Sequence, residues 1–199
     1  MFPFKKELAS LSDEALMQLL STRQCNRALT EIHARYAQKV LGFFLRMTNG
    51  NEEKSQDLVQ DLFIRILEKH HLFDPQKRFY TWMFTIASNL VKSTYREKSH
   101  VDLDPNDHVL DGQVHWAENR IDKGLFHHAL TQALEQLEEF HRLPFILRYM
   151  EELSVKEIAE ILTISEGTVK SRLFYGARKM AHALKEFTPE QLGKEFKLS

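Results

Sequence analysis

The stretch LSVKEIAEILTISEGTVKSRLFYGARKM, Leu153 to Met180, constrains this chain more than any other. Val155, Ile158, Ala159 and Leu162 recur at helical spacing, Thr163-Ile164-Ser165 interrupts, and Val169, Leu173, Ala177 and Met180 form a second stripe. Ser165 stands where a helix takes its N-cap. The spacing predicts a helix-turn-helix: small Ala159 admits a close helix crossing, Ile164 plugs the turn, and the second helix presents its outer face at its N-terminal half. That face reads Thr168, Lys170, Ser171, Phe174, Tyr175 and Arg178, with two aromatics where a solvated helix would carry Glu and Lys. Lys170 and Arg178 can reach phosphates or guanine edges, Ser171 allows close approach to a base, and Phe174 or Tyr175 can meet a thymine methyl or a sugar. The alternative is a plain αα-hairpin whose aromatics pack on a neighbouring lobe.

The rest of the chain is also helical in pattern. With 7 Gly, 5 Pro and no sustained apolar–polar alternation in 199 residues, the fold class is all-α. Helical patterns run over 12–24, 27–47, 52–70, 79–98, 125–139, 143–151, 154–162 and 166–186. Between Ser99 and Gly124 the periodicity is lost, Pro105 and Gly112 appear, and six acids face only Arg120 and Lys123. This predicts a flexible acidic linker with one short helix around Trp116. Two small helical domains are therefore expected, over 1–98 and 125–186, joined by the linker 99–124 and followed by a C-terminal tail 187–199.

Composition excludes several classes. A chain 43% hydrophobic and 28% charged folds and stays in solution. Cys25 alone rules out an intrachain disulfide framework and fits a reducing compartment. No signal-peptide run and no spanning segment is present, so a cytoplasmic location without membrane insertion is expected. The net charge of -1 hides a segregation. Lys77, Arg78, Lys92, Arg96 and Lys98 stand against Glu97 alone, and Lys170, Arg172, Arg178 and Lys179 against Glu166 alone. Two phosphate-facing surfaces fit this pattern, as do two solvated helix faces.

The N-terminal part holds two more unusual faces. In EEKSQDLVQDLFIRILEKHH, Leu58, Val59, Leu62, Phe63 and Ile66 share a core arc, while Asp57, Asp61, Ile64 and Glu68 line the opposite side. An isoleucine among acids suggests a protein-binding ridge with an apolar anchor, since carboxylates repel phosphates; a single stray exposed Ile is the alternative. In FYTWMFTIASNLVKSTYREK the core stripe is Phe79, Met83, Ile86 and Leu90, and the far face reads Thr81, Thr85, Ser88, Asn89, Lys92 and Arg96. The loop before it, Phe73 to Arg78, carries an aromatic, a proline, Lys77 and Arg78, a composition suited to an unstacked base.

These motifs, in this order, resemble the extracytoplasmic-function sigma factors of bacteria, which keep only the second and fourth conserved sigma regions. The resemblance covers about Leu11 to Leu184. DLVQDLFIRIL is similar to the helix that docks on the clamp helices of polymerase beta-prime, FYTWMFTIASNLVKSTYR to the minus-ten reader, and the helix-turn-helix to the minus-35 reader. It implies that Asp57, Gln60, Asp61 and Ile64 bind core RNA polymerase and that Phe73 and Asn89 form a pocket for a flipped minus-ten base, with Lys77, Lys92 and Arg96 on the same DNA. Thr168, Lys170, Ser171, Phe174, Tyr175 and Arg178 would then face minus-35 DNA. The implied partners are core polymerase, through the beta-prime clamp helices and the beta flap, promoter DNA, and an anti-sigma factor. Two departures stand out: Glu152 replaces a helix-ending glycine, and Tyr175-Gly176 replaces a basic-then-alanine pair.

An enzyme is the reading from another class. Ten histidines invite it, yet no H-E-x-x-H, phosphate-binding glycine loop or nucleophile elbow occurs, so no catalytic residue, metal site or cofactor is expected. The nearer rival is a helix-turn-helix regulator that acts on DNA without docking on polymerase.

Overall fold

The computed structural model describes residues 8–23, 26–100 and 121–185. Among them it contains eight α-helices, one 3-10 turn and no strand: α1 (Asp13–Arg23), α2 (Asn26–Met47), α3 (Glu52–Lys69), the turn His70–Leu72, α4 (Phe79–His100), α5 (Ile121–Glu135), α6 (Glu139–Tyr149), α7 (Val155–Leu162) and α8 (Glu166–Ala183). They gather into two compact units, one built mainly on α1–α4 and the other on α5–α8. The expected linker lies, for residues 101–120, outside the described residues, as do Trp116 and the tail 187–199.

The N-terminal unit packs around an aromatic centre. Phe43, Phe44, Phe79 and Phe84 are fully buried, and Phe43 meets Phe44 and Phe84 edge-on at 5.3 and 5.2 Å between centroids. The chain entering α1 is pinned by Arg35 of α2, whose guanidinium donates to the carbonyls of Leu8, Ala9 and Leu11 and to Asp13 at 2.7 Å. Its Nε takes Glu31 at 3.0 Å, and the Tyr36 hydroxyl also donates to Asp13.

In the C-terminal unit the helix boundaries differ from the sequence expectation. α5 stops at Glu135 and α6 already begins at Glu139, so Pro144 lies inside α6 and not at its start. The sequence pattern placed the start of this helix at Leu143, next to a residue that suits a first helical turn. The break falls earlier because buried Arg142 collects the carbonyls left by α5. Its Nη2 donates to Glu135 O at 2.7 Å and Leu137 O at 2.8 Å, and its Nε to Leu137 O at 3.1 Å.

Candidate partner and nucleic-acid interfaces

α3 begins at Asn51, whose side-chain oxygen accepts the Lys54 N–H at 2.9 Å, with Glu52 and Glu53 in the first turn to match the helix dipole. Ser55, Leu58, Leu62, Phe63 and Ile66 are buried, and Val59 is half-buried at the edge of the arc. The opposite side presents Asp57, Gln60, Asp61 and Ile64, the last 53% exposed. All four expected residues thus share one accessible face. Sequence reading missed that the apolar surface continues: Leu67, one turn from Ile64, is 42% exposed, and Leu72 in the following turn 64%.

α4 is buried over a wider arc than its sequence stripe suggested. Phe84, Ala87, Ser88 and Val91 are buried along with Phe79, Met83, Ile86 and Leu90. Ser88 therefore leaves the outward face assigned to it, because Phe84 and Val91 carry the core past its position. Its hydroxyl is enclosed without a hydrogen-bond partner. Asn89 and Arg96 remain exposed and Lys92 is half-exposed, so these three share a face. Thr85 is less available: its hydroxyl donates to Thr81 O at 3.0 Å.

Phe73 is more buried than its place in a loop suggested. It is 8% exposed, with its ring edge-on to Trp82 at 5.3 Å and to Phe79 at 6.1 Å. The ring anchors the loop from beneath and keeps only a narrow accessible edge, on the cleft between this loop and α1. Lys77 beyond it is exposed, in a turn closed by its N–H on Asp74 O at 2.9 Å and by Gln76 N–H on the Asp74 carboxylate at 3.0 Å. α4 has no acid in its first turn. Its first N–H, on Phe79, instead reaches the Glu14 carboxylate of α1 at 3.0 Å. Burial pushes the Glu14 carboxyl up, but the hydrogen bond from Phe79 and further donors hold it below its ordinary value.

In the C-terminal unit the turn and both helix starts are built locally. Ser154 caps α7, accepting the Glu157 N–H at 3.2 Å while its own N–H reaches the Glu157 carboxylate at 2.9 Å. α7 ends with Thr163 in the left-handed region at φ 57, its N–H on Glu160 O and the Ile164 N–H on Ala159 O. Ser165 then caps α8, accepting the Thr168 N–H at 3.1 Å. Val169, Leu173, Gly176 and Met180 form the buried stripe of α8; Gly176 takes the place expected of Ala177, which is half-buried.

Lys170, Ser171, Phe174, Tyr175 and Arg178 are all exposed on α8, Phe174 at 63% and Tyr175 at 53%. Thr168 is less free than expected, half-buried with its hydroxyl 2.8 Å from Ser165 Oγ. Lys179 is drawn aside to Glu138 at 2.9 Å, and this contact, with His141 beside it, lowers the Glu138 carboxyl. The aromatic surface extends beyond α8, from Phe174 and Tyr175 through His141 to Phe140, itself half-exposed beneath the Arg172 guanidinium. Sequence reading missed Phe140, which lies on another helix. Among the described residues, no three His, Cys, Asp or Glu side chains are grouped to hold a metal.

The family model for Sigma-70 region 2 matches residues 32–101, and that for Sigma-70, region 4 matches residues 127–180. The RNA polymerase sigma factor CarQ of Myxococcus xanthus is 31% identical over 163 residues, covering 82% of this chain and 92% of CarQ. The chain belongs to the extracytoplasmic-function sigma factors. A further member, SigW of Bacillus subtilis, is 29% identical over 80% of this sigma factor and 90% of its own length. Among solved structures, CnrH in complex with the cytosolic domain of CnrY has a TM-score of 0.64 at 24% identity, covering 88% of this chain and 99% of that one. RpoE in complex with the anti-sigma factor NepR from Bartonella quintana has the same TM-score at 20% identity, covering 80% and 98%. The ridge of α3 and the polar face of α4 fall within the region 2 match of this sigma factor, and the α8 face within its region 4 match.

Proposed function

We propose that this sigma factor docks on core RNA polymerase through Asp57, Gln60, Asp61 and Ile64 of α3 and reads promoter DNA with two separate surfaces. Asn89, Lys92 and Arg96 of α4, with Lys77 in the preceding loop, serve the opened minus-ten strand. Lys170, Ser171, Phe174, Tyr175 and Arg178 of α8 serve the minus-35 duplex. The observation that carries this reading is the contrast between the faces: acids around an exposed isoleucine on α3, cations around exposed aromatics on α8. The first repels phosphate and fits a protein groove; the second fits a DNA groove. Ser171 and Lys170, near the centre of the α8 face, suit base edges, and Arg178, two turns along, suits backbone phosphate.

A regulator that acts on DNA without polymerase is disfavoured by family membership and leaves the α3 ridge without a role. Sigma factors are initiation factors and not enzymes in themselves; we extend this to the absence of any catalytic site here. A cytoplasmic location follows from that role, and among the described residues no helix is long and apolar enough to cross a membrane. Structural relatives solved with the anti-sigma factor NepR and with CnrY support an anti-sigma partner for this chain as well.

The deciding experiment is binding of the full chain to core polymerase. Ile64→Ala, at the apolar anchor, lowers affinity about tenfold, as truncation of an interface anchor does. Asp61→Lys lowers it further by reversing a charge, and neither changes helix content, since both positions lie outside the buried stripe. Wild-type affinity in both variants would sink the assignment.

A further inference from the structure

The loop that leads into α4 is held at both ends by α1. On its entry side, the Ser21 hydroxyl of α1 donates to His70 O at 3.2 Å, three residues before Phe73. On its exit side, the Glu14 carboxylate accepts the Phe79 N–H at 3.0 Å. Between these ties Ala15, Gln18 and Thr22 of α1 look across an open cleft of about 540 Å3 at His71, Phe73 and Pro75. Residues 74–78 are all exposed, and within the loop only the Phe73 ring is buried.

The brace is itself anchored. Asp13, next to Glu14, is gripped by the Arg35 guanidinium and the Tyr36 hydroxyl of α2, so the first turn of α1 is fixed to the lobe. The positive end of α4 carries no acid of its own, and Glu14 supplies across the fold what an N-cap usually supplies from the adjacent residue.

We infer that α1 braces the minus-ten loop, with Glu14 as a positioning residue that holds the first turn of α4, and Ser21 a second tie, neither of them touching DNA. The inference rests on the assignment of this loop and α4 to the minus-ten strand. Holding the loop matters most while bases leave the stack, because a loop that must order at that moment adds its entropy to the cost of unstacking.

The test uses holoenzyme reconstituted from the full chain and core polymerase, on a promoter that wild-type holoenzyme selects from randomised duplexes. Glu14→Ala slows promoter opening about fivefold, the typical effect of losing an N-cap, leaves core-polymerase affinity within about twofold, and speeds exchange of the Phe79 amide proton. Glu14→Gln, whose amide oxygen still accepts from Phe79, restores both opening and protection. Ser21→Ala shifts opening in the same direction by less, and supplies the answer if Glu14→Ala does not fold. A fall in polymerase affinity parallel to the fall in opening would overturn the inference, as would a Gln variant as slow as Ala. Asn89→Ala separates the two levels. If it slows opening while Glu14→Ala and Ser21→Ala do not, the brace is wrong and the minus-ten assignment stands; if all three open at the wild-type rate, the assignment itself fails.

Discussion

The two helices proposed to face promoter DNA begin in opposite ways. α8 takes its cap from Ser165, three residues before the N–H it binds, and α7 beneath it has a reciprocal box between Ser154 and Glu157. α4 takes its cap from Glu14, 65 positions away in sequence. The C-terminal reader is thus shaped by consecutive residues, whereas the N-terminal one is shaped by a different helix that must first be in place. Arg35 repeats the lesson, joining α2 to carbonyls 24 to 27 residues earlier.

Breaking a remote tie should therefore cost the N-terminal unit more than breaking a local one costs its counterpart. Arg35→Met removes several charge-assisted bonds from a partly exposed site and should destabilise the N-terminal unit by about 2 kcal/mol. Peptide-resolved hydrogen exchange should show the loss in α1, α2 and the loop before α4, with α7 and α8 unchanged; an equal loss in both units would erase the distinction. Ser154→Ala should cost about 1 kcal/mol, the ordinary worth of an N-cap, with faster exchange confined to α7 and its packing partners. Gly176→Ala should act in the other direction and least. An added Cβ would meet Phe145 Cδ2 at 3.5 Å and His141 O at 3.6 Å, ordinary contacts, so the gain in helix propensity should survive as roughly 0.5–1 kcal/mol in a denaturant melt. A loss of stability there would mean that the α6–α8 interface has no room for a methyl group.

The same contrast decides what could be read from the sequence. The helix-turn-helix, its Ser165 cap and the exposed face from Lys170 to Arg178 were legible, because each depends on spacing within one or two turns. The α3 ridge was legible for the same reason, since Asp57, Asp61 and Ile64 share a face by periodicity alone. The burial of Phe73 was not legible because it depends on Phe79 and Trp82 arriving over a loop aromatic. Ser88 was misplaced because neither Phe84 nor Val91 was counted in the core. Phe140 was missed because its links to the α8 face, through Arg172 and through His141 to Tyr175, reach over thirty residues along the chain, and the Glu14 cap because nothing near Phe79 announces it. Glu152 was noticed as a departure from the family's glycine, and the backbone explains why the position is sensitive: its φ is 57.

Thr163 adopts the same φ of 57, and it is β-branched, the side-chain type least suited to that conformation. Both residues are exposed, one before α7 and one after it, and neither belongs to the proposed reading face. Positions of this kind hold strain of order 1–3 kcal/mol each that glycine would relieve. On the proposed reading, a lineage of such proteins can therefore change promoter preference through destabilising substitutions on α8 and recover the lost stability at two turns away from that face. The left-handed turns make the proposed minus-35 reader evolvable, leaving room for new specificities without rebuilding the core.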